Sequence, residues 1–128
     1  MSRYGSTDMQ IVDLIGKALS VRAFYHKVVS GNIANAQTPG YKEKEIDFKR
    51  ELDKRVGADV TKTPAGETDY TISENMGHDG LARLDGNTVN LEDQTVKLTE
   101  NQLMYQALVQ MASKRFSMMR YLIGEGKR

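Results

Sequence analysis

Apolar residues recur at helical spacing from Met9 to Ala36, and one line through them, Ile11, Leu14, Ala18, Val21, Tyr25 and Val28, steps alternately by three and four. That spacing is a heptad seam, which keeps one side of a helix apolar along its length. Ile15, Leu19 and Val29 widen the face, while Asp13, Lys17, Arg22 and Lys27 fall elsewhere. Thr7 with Gln10 three residues on reads as a capping box, and Pro39-Gly40 stops the run, so a helix is expected over about 8–36. The pattern returns near the other end, where Leu98, Tyr105, Leu108, Ala112, Met119 and Leu122 share a line interrupted by Asn101 and Arg115. Val96, Leu103, Met104, Ala107 and Met111 add a second apolar flank there. Glu92, Asp93 and Glu100 sit early and Lys114, Arg115 and Arg120 late, in keeping with the helix macrodipole. Asp85-Gly86-Asn87 reads as a turn, Asn90 as an N-cap and Gly124 as a stop, so a second helix is expected over about 90–123.

The stretch between them, about 37–86, is different in kind. Lys42 to Arg55 is dense in mixed charge, with Glu45/Lys49 and Glu51/Arg55 at helical spacing around Ile46, Phe48 and Leu52, which suits a short helix or an ordered turn. Asp59 to Asp85 carries Pro64, Gly66, Gly77 and Gly80 and few large apolar residues, so little burial offsets its ordering entropy. Tyr70 and Ile72 alternate with polar neighbours as in a short strand, but a flexible loop is the expectation. The predicted fold is therefore all-α: two long terminal helices packing as a coiled-coil-like pair, joined by a short charged segment and a flexible middle loop, in one domain spanning 1–128.

Composition sharpens this picture. Only 39% of the 128 residues are hydrophobic and there is no Trp, so the apolar material concentrated in the two helices is most of what the chain has. Two helices covering each other leave outer apolar sides bare, and a bare apolar patch of more than a few hundred Å² marks an interaction site. Self-association is thus expected. The net charge of +1, with both signs interspersed, supplies no field for nucleic acid. With no Cys there are neither disulfides nor thiolate metal ligands. No uninterrupted apolar run follows Met1, which argues against a cleaved signal, and no run of roughly 18–20 apolar residues exists to insert into lipid.

Catalytic chemistry has little to build on. His26 and His78 are far apart, and although His78 adjoins Asp79, no nucleophile motif, phosphate loop or metal-ligand spacing accompanies them. No catalytic, cofactor-binding or metal residues are expected, and His26 is expected on a helix surface. Four of the seven methionines, Met104, Met111, Met118 and Met119, lie in the second long helix, where they suit either core filling or an adaptable groove.

The most informative string is Asn32-Ile33-Ala34-Asn35-Ala36-Gln37-Thr38-Pro39-Gly40-Tyr41-Lys42. Asn32 continues the heptad seam, where a buried amide lowers stability but fixes register. Ala34 and Ala36 allow close helix approach, Pro39-Gly40 forces a turn, and Tyr41 is an amphipathic anchor beyond it. This string resembles the N-terminal signature of the flagellar axial proteins, the rod, hook and hook-associated family, in which Asn-Ile-Ala-Asn is followed shortly by Thr-Pro-Gly-Tyr. Asp85 to Glu92 and Glu100 to Gln106 are similar to the family's C-terminal segment. The family usually has an acidic and an apolar residue where this chain has Gln94-Thr95.

The resemblance implies a structural role. Distal rod and hook relatives insert a β domain for which this middle has no room, so the likeness points to a subunit of the proximal rod. It implies, as partners, other rod proteins, the basal-body junction protein, the membrane ring and the flagellar type III export gate. It also implies location in the periplasmic rod after export without a cleaved signal. On this reading Leu14, Val21, Tyr25, Val28, Asn32, Asn35, Pro39, Gly40, Tyr41, Leu98, Asn101, Tyr105, Leu108 and Met119 are the assembly residues. The alternative is a helical-hairpin adaptor or chaperone that takes a partner's helix without polymerising.

Overall fold

The computed structural model describes residues 3–57, 69–77 and 84–126. Along the chain these form α1 (Arg3–Ala34), β1 (Glu43–Glu45), α2 (Phe48–Val56), β2 (Ser73–Asn75) and α3 (Leu91–Gly126). The expected helical pair is present: α1 and α3 pack along each other. Their contacts Asn32 to Gln94, Arg22 to Asn101 and Asp8 to Arg115 run in opposite senses, so the pair is antiparallel. At 32 and 36 residues the helices are roughly 48 and 54 Å long.

The ends differ from expectation for local reasons. α1 begins at Arg3, so Thr7 and Gln10 lie inside it and form no capping box. The Asp8 carboxylate is held 2.8 Å from the Arg115 guanidinium, a tertiary contact that fixes the turn without a cap. At the other end the helix stops at Ala34, two residues early, because the Asn35 side chain donates to the Gly31 carbonyl and its own N–H is shared between Gly31 and Asn32. Asn90 caps α3 as expected, its Oδ1 accepting from the Asp93 N–H at 3.1 Å. Gly124 does not stop α3, which runs on to Gly126. Glycine within a helix costs only about 1 kcal/mol, and Gly124 keeps a helical backbone.

The expected short helix is α2, started by the Asp47 side chain accepting from Arg50 N–H. Glu51 and Arg55 form the expected pair at 3.2 Å, whereas Glu45 lies in β1 and cannot share a helix face with Lys49. Part of the expected loop is ordered: β2 pairs antiparallel with β1, Glu43 opposite Asn75 and Glu45 opposite Ser73. This strand is polar throughout and is held by side-chain hydrogen bonds instead of burial, which left no apolar alternation to read. Residues 58–68 and 78–83, His78 and Asp79 included, lie outside the described residues. His26 is exposed on α1, as expected.

The contact line on α1 is not the predicted seam along its whole length. Ile15 and Val29, read as flanks, are buried, while Leu14 of the seam is 45% exposed. A straight helix drifts by about 20° per heptad against a strict 3.5 repeat, so over 32 residues the packed face moves around α1. Among the described residues the buried apolar ones are few: Ile15, Ala18, Val21, Val29, Ala36, Ile46 and Val89. Against them stand Asp8, Asn32, Glu43, Glu51, Arg55, Asn87, Gln94 and Asn101, all polar and all buried. Polar pairing therefore decides how these elements sit.

α2 shows how. The Arg55 guanidinium lies 3.8 Å over the Tyr70 ring, and Tyr70 stacks on Phe24 of α1 at 3.8 Å. Arg22 of α1 lies 3.8 Å over Phe48, closing the second end of the short helix. Beneath them Glu51 is out of reach of solvent, its carboxylate accepting from Lys54, Arg55 and the Thr71 N–H at 3.0 Å. Burial pushes the Glu51 carboxyl up, but the Thr71 N–H and the two cations outweigh it and leave it below the ordinary value. A carboxyl depressed in the fold contributes stability that is present above its unfolded value, near 4.3, and is lost as pH falls through the depressed one. Glu51→Gln is expected to cost about 2 kcal/mol at pH 7 and to flatten the acid limb of the Tm profile below about pH 5. Thermal melts from pH 7 to pH 3 check this; a parallel acid limb in wild type and variant contradicts it.

Candidate functional site

The Asn-Ile-Ala-Asn string lies at the end of α1, and the side chain of its first residue is fully engaged. Asn32 is wholly buried. Its Nδ2 donates to the Lys44 carbonyl at 2.8 Å and to Gln94 Oε1 at 2.9 Å. Its Oδ1 accepts from the Lys44 N–H at 2.9 Å and from the Tyr41 hydroxyl at 3.3 Å. Both donors and both acceptor sites of the amide are used, which is the complete set an asparagine can make. The amide reads the Lys44 peptide as a neighbouring strand would, so it ties α1 to β1 and, through Gln94, to α3.

The bonding continues outward. Gln94 Nε2 donates to Glu43 Oε1 at 2.7 Å, and the buried Glu43 carboxylate also accepts from Asn75 Nδ2 and from the Asn90 N–H. The Glu43 N–H donates to Thr88 Oγ1, whose hydroxyl donates to the Asn75 carbonyl at 2.7 Å. Asn87, also wholly buried, donates to the carbonyls of Asn35, Ala36 and Thr38, the groups freed where α1 ends, while its Oδ1 accepts from Val89 N–H. These bonds place Thr-Pro-Gly-Tyr against the Asp-Gly-Asn turn. Gly40 and Gly86 meet there, both with φ near +80°, and a Cβ on Gly86 would lie 3.6 Å from the Gly40 Cα. The Gly40 N–H donates to the Asp85 carbonyl and Lys42 Nζ to the Gly86 carbonyl.

The predicted assembly residues divide between this knot, the helical pair and the outside. Asn32, Asn35 and Tyr41 belong to the knot. Val21 and Asn101 are buried between the helices, with Tyr25, Val28, Leu98, Leu108 and Met119 half-buried beside them. Burial pushes the Tyr25 hydroxyl up, against the opposing pull of Lys97 and Arg22. Gly40 joins the knot through its N–H to the Asp85 carbonyl, while Leu14, Pro39 and Tyr105 are exposed. Asn101, a polar intruder on the apolar line, donates to the Arg22 carbonyl at 2.9 Å and so sets the register at mid-helix. Sequence reading missed Gln94, Glu43, Asn87 and Thr88 as members of the site. Two glycine turns facing each other were the available signal, since such turns bring their flanking polar side chains together.

Away from the knot, α3 carries apolar side chains on both sides of its α1-facing line. On one side Met9, Leu19, Val109, Ala112, Phe116 and Ile123 line a groove of about 590 Å³ between the helices. On the other, Leu103, Met104, Met111 and Met118 stand exposed. Among the described residues no cluster of His, Asp or Glu is placed to hold a metal, and no helix is long and apolar enough to cross a membrane.

The fold and the knot define a class: an antiparallel two-helix protein in which the end of the N-terminal helix is closed onto the start of the C-terminal helix by polar residues that follow the one and precede or begin the other. No protein-family profile matches the chain. Curated relatives do. The chain is 31% identical over 116 residues to the flagellar basal body rod protein FlgB of Bacillus subtilis (strain 168), covering 86% of this chain and 90% of the relative. It is 34% identical to FlgB of Escherichia coli (strain K12) over 70% of this chain and 75% of the relative, and 33% identical to FlgB of Cereibacter sphaeroides over 79% and 84%. The chain belongs to the FlgB family of flagellar basal body rod proteins.

The knot's bonding predicts a variant. Asn32→Leu fills the space but strands the Lys44 N–H and carbonyl and Gln94 Oε1, so a loss of about 2–4 kcal/mol is expected. Urea unfolding of the purified chain checks it; a midpoint at or above wild type would show that the amide is dispensable to the fold.

Proposed function

We propose that the chain is a structural subunit of the proximal rod, which associates with copies of itself and with other rod proteins to build the periplasm-spanning, torque-transmitting shaft. The observation that carries this is the bare apolar surface of α3. Leu103, Met104, Met111, Phe116 and Ile123 are each 46–62% exposed, along a helix of whose described side chains only Gln94 and Asn101 are fully buried. Exposed apolar side chains in such number, on both sides of one helix, mark contact surfaces. The groove between the helices and the methionine side of α3 are different surfaces, and a contact that seats one copy's methionine side in the next copy's groove is heterologous; contacts of that kind that do not close propagate helically. The rod membership of the relatives agrees with this mechanical role. The basal-body junction protein, the membrane ring and the type III export gate are the further partners this reading implies, with export occurring without a cleaved signal.

Fold and assembly are separable by position. Val21 is fully buried, so Val21→Asp is expected to cost at least about 3 kcal/mol and to unfold the subunit. Leu103, 62% exposed, gives the contrast: Leu103→Asp should change stability by no more than about 0.5 kcal/mol yet abolish completed rods. The measurements are urea unfolding of each purified chain and counts of rods in basal bodies from a strain lacking the native copy. Normal rods with Leu103→Asp would overturn the assignment of this surface to assembly.

A further inference from the structure

We propose that Met104, Met111 and Met118 are a redox modification site, at which oxidation to the sulfoxide by hydrogen peroxide or a related two-electron oxidant closes the subunit to self-association. The inference rests on the assembly reading of α3 given above. The three residues recur every seven positions and so share one side of the helix, and they are 52%, 53% and 47% exposed. Leu122, four residues beyond Met118 and 52% exposed, extends the row by another apolar side chain, with Arg115 held against Asp8 between Met111 and Met118. The chain has no Cys, which leaves thioether as its only oxidisable sulfur.

The chemistry is balanced by the oxidant itself. A lone pair on the methionine sulfur attacks one peroxide oxygen, the O–O bond breaks as the S–O bond forms, and the second oxygen leaves as water. Sulfur loses the two electrons that the peroxide gains, and a thiol-dependent sulfoxide reductase reverses the change. The product replaces an apolar, flexible side chain by one with a strong acceptor oxygen. Three such oxygens in a surface that must lose water on docking add a desolvation cost that the thioethers do not carry, and this opposes association. Oxidation thus acts on the free subunit, and docking shields the same atoms. Met119, half-buried toward α1, and Met76, 65% exposed beside β2, serve as internal references for a slow and a fast thioether.

The test uses the full purified chain, treated with hydrogen peroxide and mapped by peptide mass spectrometry, with self-association followed by sedimentation. Met104, Met111 and Met118 are expected to oxidise with Met76 and well ahead of Met119. Self-association should weaken by about tenfold or more, and recover after sulfoxide reductase treatment. A variant with Met104→Leu, Met111→Leu and Met118→Leu, and with Met9→Leu to remove the exposed thioether of the groove, stays apolar and should associate as untreated wild type does, before and after peroxide. If it fails to fold, Met111→Leu alone should show a smaller peroxide effect than wild type. Oxidation of the three no faster than Met119, or undiminished association of the fully oxidised chain, overturns the proposal. An untreated chain that stays monomeric at every concentration refutes self-association itself and the consequence drawn from it, while the peptide map still decides whether the three thioethers are the reactive site.

Discussion

The structure hangs on a single buried amide and the rule that such a group must find partners for every donor and acceptor it carries. Asn32 meets that rule with four bonds to three pieces of chain: two to Lys44 on β1, one to the Tyr41 hydroxyl beyond the Pro-Gly turn, and one to Gln94 on α3. Gln94 then requires Glu43, and Glu43 requires Asn75 and the Asn90 N–H, so β2 and the start of α3 are placed by the same chain of obligations. Few apolar residues are buried around these groups. What orders this end of the molecule is the high penalty for leaving polar atoms unpaired once they are out of water.

The same logic continues along the helical pair at wider spacing. From Asn32 to Arg22 to Asp8, the α1 partners of Gln94, Asn101 and Arg115 are separated by roughly 15 and 21 Å of helix. Leucine against valine tolerates a slip of one turn with little change in buried area. Three polar contacts at unequal intervals do not, because any slip leaves all of them unpaired together. The polar residues on the helix lines thus specify one antiparallel register, and the apolar ones supply the general attraction.

Period carries far, and that is why the long helices, the Asn90 cap and the short charged helix were readable in the sequence. The contact line on α1 was readable only in part, since a strict heptad does not predict its own drift along a straight helix, and Ile15 took the place expected of Leu14. β2 was not readable, because Ser73-Glu74-Asn75 has no apolar face and owes its order to Glu43, Glu45 and Thr88. Gln94 looked like any polar helix residue and Glu43 like one member of a charge run. Both are defined by partners 51 positions apart, and pairings at that range leave no local pattern. Asn32 was legible as a buried amide, but its partners proved to lie within the chain.

That last point bears on how neighbouring subunits are recognised in the proposed rod. The amides of Asn32, Asn87 and Gln94 are engaged within the subunit, so they have little left to offer a neighbour. Recognition then falls to the bare sides of α3, where the balance of forces is different. A typical hydrogen bond contributes only about 1 kcal/mol net, whereas apolar surface contributes roughly 25 cal/mol for each Å² covered, without demanding one geometry. Methionine is the least shape-restricted of the large apolar side chains, and the three at heptad spacing let one surface fit neighbours that are not identical. A knot with one solution beside a surface with several suits a subunit that must keep its own shape while meeting more than one kind of partner.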